Sequence, residues 1–143
     1  MAFSVFETTL YGYSILDDND NEPNYTIRLH TKFHQTAQAT FNDIVFTHTI
    51  AHHFEDYRAR SELFDIEAMS IEASYKKLRK FFEKRAHYGW PFPHHGGRDL
   101  LAQANAHGVK AYQITPAYGF NGWVWARSIA LVARDKVPQF DEL

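Results

Sequence analysis

Apolar and polar residues alternate with a period of two along several stretches of the chain. Tyr25, Ile27, Leu29, Thr31 and Phe33 fall on one side of an extended segment, and Thr26, Arg28, His30 and Lys32 on the other. This is the signature of a half-buried strand. Phe41 to Phe54 repeats it, with Ile44, Phe46, His48, Ile50, His52 and Phe54 on one face and Val45, Thr47, Thr49, Ala51 and His53 opposite. Its β-branched and aromatic content favours a strand over a helix. Phe3, Val5 and Glu7 open an earlier strand, which Tyr11-Gly12-Tyr13 interrupts and Ile15-Leu16 continues. Leu63 to Ile66 reads as the return strand of a hairpin with Phe41–Phe54. Val109 to Thr115 alternates again. After the Gly-rich turn 116–122, Trp123 to Val132 is apolar enough to be a central strand.

The period changes after Met69. Ser70 is a good N-cap and Glu72 suits the first turn of a helix. Ile71, Tyr75, Leu78, Phe81 and Phe82 recur at helical spacing, with Lys76, Lys77, Arg79, Lys80, Lys84 and Arg85 filling the other faces. Gly89 and Pro91 end this helix. A loop through Trp90-Pro91-Phe92-Pro93-His94-His95-Gly96-Gly97 follows, then a second helix from about Asp99 to His107, closed by Gly108. The fold class expected is α+β: a mainly antiparallel sheet of five to six strands with two helices packed on one face. It forms a single domain over residues 1–143, with an acidic loop at 17–24 and a frayed tail at 135–143.

Composition narrows the chemistry. The 143 residues include no cysteine, which excludes disulfides, thiolate metal sites and thiol nucleophiles. The N-terminus lacks a basic, apolar leader, and no run approaches the ~18 apolar residues of a membrane span. A cytoplasmic protein is therefore expected. Net charge is −2, but its halves differ: eleven acids and four bases in residues 1–70, six acids and eleven bases in residues 71–143. Such asymmetry steers charged partners.

Nine histidines raise the question of a metal. His48 and His52 have the His-x-x-x-His spacing of a helical chelate, but on a strand they stand roughly 13 Å apart, too far to share one ion. A metal-dependent hydrolase built on His52, His53, His94 and His95 is the alternative that remains, and it requires the loop at His94 to fold back toward Glu55 and Asp56. No nucleophile elbow or P-loop is present. His94-His95-Gly96-Gly97-Arg98 opens a helix and offers a weak anion site. The basic helix suggests nucleic-acid binding, against which stands a pI near 6.5.

Protein binding is the leading expectation. Asp17, Asp18, Asp20, Glu55 and Asp56 would form an acidic surface for a basic partner, and Trp90 and Phe92, stiffened by prolines, would serve as loop anchors. No catalytic residue and no cofactor is assigned. Phe41-Asn42-Asp43-Ile44, His53-Phe54-Glu55, Leu63-Phe64-Asp65-Ile66-Glu67, Tyr88-Gly89-Trp90-Pro91 and Tyr118-Gly119-Phe120-Asn121-Gly122-Trp123-Val124 together resemble small uncharacterised bacterial proteins of the immunity-protein, toxin-neutralising type. The resemblance runs loosely over residues 41 to 126. It implies a small cytosolic, non-enzymatic protein that binds and neutralises a toxin, and it assigns no residue a role.

Overall fold

The computed structural model describes residues 2–17, 24–33, 40–57, 61–86 and 89–134. The acidic residues Asp18 and Asp20 and the tail 135–143 lie outside that set. The element order is β1 (Ala2–Asp17), β2 (Tyr25–Phe33), β3 (Thr40–Glu55), β4 (Ser61–Met69), α1 (Ile71–Lys77), α2 (Arg79–Arg85), α3 (Gly97–Ala106), β5 (Lys110–Tyr118) and β6 (Asn121–Arg134).

The antiparallel α+β reading stands, but the sheet does not stay open. The strands close into a barrel in the order β1-β2-β3-β6-β5-β4, every neighbour antiparallel. The expected hairpin of β3 with Leu63–Ile66 does not form. β4 pairs with β1 and β5, while β3 lies between β2 and β6. Closure supplies the reason: it brings β4 onto β1, so that edge is paired.

Bulges let the strands curve. The register shifts between Leu10 and Gly12 of β1, at the interruption seen in the sequence. β3 shifts between Thr49 and Ala51 against β6, and again opposite Tyr25–Ile27 of β2. His48 sits at φ 50°, a left-handed conformation suited to a bulge rather than a strand interior. The two-faced pattern expected for Phe41–Phe54 is therefore broken. Ile44 and Phe46 point into the barrel, whereas Ile50 joins Ala51 in a different core.

Those two cores organise the molecule. The first fills the barrel with Leu10, Ile27, Leu29, Ile44, Phe46, Leu63, Ile66, Ile114, Phe120 and Val124, none measurably exposed. The second lies outside the barrel wall. There Ile50, Ala51, Ala111, Trp123 and Trp125 meet Ile71, Phe82, Phe92, Leu100 and Ala104 from the helical segment. The first half of β6 is thus buried on both faces, Val124 and Ala126 inward, Trp123 and Trp125 outward. Trp125 packs its ring 4.9 Å from Phe82 and donates its indole N–H to Ser74 Oγ at 2.9 Å. Full burial of such side chains contributes about 1.5–3 kcal/mol each.

The helical segment contains three helices rather than two. Ser70 caps α1 through its hydroxyl, which accepts from Ala73 N–H at 3.1 Å. The single long helix expected from Ser70 to Gly89 is broken at Leu78 (φ −107°, ψ 16°), whose N–H reaches both the Ser74 and Tyr75 carbonyls. The break lets Leu78, Phe81 and Phe82 follow the curved wall. No helix among the described residues is long and apolar enough to cross a membrane.

Candidate functional site

The four histidines considered as metal ligands, His52, His53, His94 and His95, do not come together. On β3, successive side chains alternate sides, so His52 and His53 diverge. His52 Nδ1 meets the Tyr25 hydroxyl at 2.7 Å, and its ring lies 4.9 Å from Phe54. His53 stacks on Phe81 at 4.6 Å and bonds Glu55 Oε1 at 2.9 Å. His94 is bound into its own loop. Its Nδ1 lies 3.0 Å from Gly96 N and 3.2 Å from the Gly96 carbonyl, and its Nε2 lies 3.3 Å from the Trp90 carbonyl. His95 is exposed and contributes its backbone N–H to Asp99 Oδ2 at 2.8 Å. Among the described residues, no three His, Asp or Glu side chains are arranged to hold a metal ion.

The remaining predicted residues separate into two groups. Asp17, Glu55 and Asp56 are exposed. Asp17 ends β1 and Glu55 ends β3, strands that run in the same direction, each antiparallel to β2. They therefore approach one end of the barrel. Phe92 was expected to be a surface anchor but is 7 % exposed, buried in the helix-side core. Trp90 is half-buried against Phe81, Phe82 and Trp123, with ring centroids 5.4 to 6.0 Å apart. Both aromatics fold inward because the loop from α2 to α3 crosses the apolar barrel wall and covers it.

A groove between α1–α2 and the start of α3 is the feature that sequence reading did not find. Its volume is about 690 Å³. Leu101 and the ring of Tyr75, both half-buried, form a small apolar floor over the buried Phe82 and Leu100, and the exposed Lys76, Arg79 and Arg98 line its rim. Glu83 is also on the rim, but it is paired with Arg79 at 2.8 Å. Tyr75 lies directly over Gly97, where an added Cβ would push its ring aside. Gly96 offers no side-chain cap to α3. Asp99 accepts from the His95 backbone instead, and that bond is the main reason its carboxyl is held below the usual range. The groove thus combines apolar area with positive charge. Its sequence traces are the basic helix with Lys76 and Arg79 and the Gly-Gly-Arg entry to the second helix, two separate segments whose juxtaposition has no local signal.

A second constellation, unforeseen in the sequence, lies between β2, β3 and β6. Asp43 is 4 % exposed. Its Oδ1 lies 2.9 Å from His30 Nδ1 and 3.1 Å from Arg134 Nη1, and its Oδ2 lies 3.4 Å from Arg28 Nη1. Arg134 Nη1 also lies 2.7 Å from His30 Nδ1. Arg134 Nη1 donates to Oδ1, and the His30 ring lies against both groups. The arrangement neutralises a buried acid and ties three strands together.

No protein-family model, no curated protein and no solved structure matches the chain.

Proposed function

We propose that this protein is a non-enzymatic binding module whose helix-side groove takes an acidic, apolar segment of a protein partner. One observation carries the reading: an apolar floor bordered by Lys76, Arg79 and Arg98 in an open groove of about 690 Å³. Apolar area supplies affinity, and the cationic rim supplies orientation and association rate. Nucleic acid is less well suited, because the floor is apolar and the whole chain is net negative. Neutralisation of a toxin in the cytoplasm, as in immunity proteins, is the biological role we attach to such a module. Exposure of Asp17, Glu55 and Asp56 toward one barrel end supports a second reading, in which a basic partner docks there.

The experiment uses wild-type protein and the double variant Lys76→Glu/Arg98→Glu as baits in the native host, with an Asp17→Lys/Glu55→Lys variant beside them. A stoichiometric partner held by the wild type and lost by the first variant supports the groove. Loss only in the second variant transfers the function to the acidic end. Equal retention by all three removes both readings, as does a mobility shift with DNA or RNA in place of any protein partner.

A further inference from the structure

Strand β6 has neighbours on both sides only in its first half. Gly122 to Ala126 lie between β3 and β5, and Lys110 opposite Ala126 is the last β5 contact. From Arg127 onward, β6 is paired with β3 alone among the described residues, through Ser128 opposite Thr47 to Arg134 opposite Phe41. The cause is topological: the chain enters β5 from α3 at Lys110, so among the described residues no strand continues beside the second half of β6.

The edge left open is unprotected. Ala130 to Ala133 are all exposed, Leu131 by 43 % and Val132 by 41 %. Between Arg127 and Arg134 there is no lysine, proline or acid, the devices by which monomeric sheet proteins blunt their edges. The two flanking cations are occupied within their own chain. Arg127 donates to the His107 carbonyl through Nε at 3.0 Å and Nη2 at 2.9 Å, and Arg134 is bonded to Asp43.

We propose that a second copy of this chain docks on this edge, β6 against β6, antiparallel about a twofold axis perpendicular to the sheet at Ala130. The residue pattern fits that occupant. Such an axis sets Ala130 against itself and Leu131 against Ile129 of the second copy, so the apolar stripe continues across the junction. Arg127 then faces Ala133 of the second copy, and no arginine meets another. A stretch without free charge, bounded at both ends by the same residue type, suits a symmetric partner better than a charged one. The surface is separate from the groove, so the two proposals stand or fall independently.

Sedimentation velocity across a concentration series tests it. The wild type is expected to show a concentration-dependent dimer. Ala130→Lys places two ammonium groups face to face at the axis and should weaken the dimer about fivefold or more, as should Ala130→Glu through two carboxylates. An equimolar mixture of the two variants should restore dimer, since opposite charges then meet. Hydrogen exchange of the wild type needs no variant: amides in residues 127–134 should gain protection as concentration rises. A wild type that stays monomeric, variants that leave the dimer unchanged, or edge protection independent of concentration would overturn the proposal.

Discussion

The Tyr25 hydroxyl and Nδ1 of His52 share a hydrogen bond across 2.7 Å, joining β2 to β3 at the end of the barrel. Burial pushes the Tyr25 phenol well above its ordinary range, so it stays protonated. Burial first, and the neighbouring His53 second, hold the His52 imidazole below its usual pKa, so it stays neutral.

That pair makes stability depend on pH. The unfolded chain binds a proton at His52 near pH 6.5, which the folded chain binds only at lower pH, so the unfolded state holds more protons in between. Stability from this group is complete above about pH 6.5 and falls as pH drops toward the lowered folded value. Tyr25→Phe should cost about 1 kcal/mol at neutral pH. Urea melts between neutral and mildly acid pH measure both effects.

Phe92 belongs to the core and not to a docking surface. Phe92→Ala should lower stability by about 3 kcal/mol or more, as large aromatic truncations do. Binding by the fraction that remains folded should be unchanged. Thermal melts read beside a binding titration separate the two, and intact stability with lost binding would contradict the burial.

Gly122 is the closest approach of β6 to β3. A Cβ there would overlap the His53 carbonyl oxygen and stand 3.0 Å from Phe54 Cα, backbone that cannot move aside. Gly122→Ala should therefore cost more than about 3 kcal/mol or prevent folding. Gly89, with open space around its Cα, serves as the control: Gly89→Ala carries only the strain of its φ of 73° and should be milder. Soluble yield and melting temperature decide between them.

Thr8 is fully buried, and its hydroxyl has no hydrogen-bond partner among the described residues. An unsatisfied buried hydroxyl is costly, while valine has nearly its shape. Thr8→Val should raise stability by about 1 kcal/mol, visible as a higher denaturant midpoint with an unchanged slope. A lower midpoint would mean that the hydroxyl is satisfied after all.

Local pattern determined a good deal by itself. The alternation at Tyr25–Phe33 gives β2 with its boundaries, Ser70 gives the start of α1, and Gly108 gives the end of α3, because a strand period, a capping hydroxyl and a left-handed glycine act over a few residues. On β3, His48 turns to His107 and His52 to Tyr25. Tertiary structure alone decided the rest. Which strands pair is a long-range matter, so barrel closure, the partners of β4 and the open half of β6 have no local signal. The bulge at His48, which sends Ile50 to the helix-side core, arises from curvature imposed by closure. The groove and the Asp43 cluster join side chains from separate segments. Their chemistry exists only once the backbone has brought those segments together.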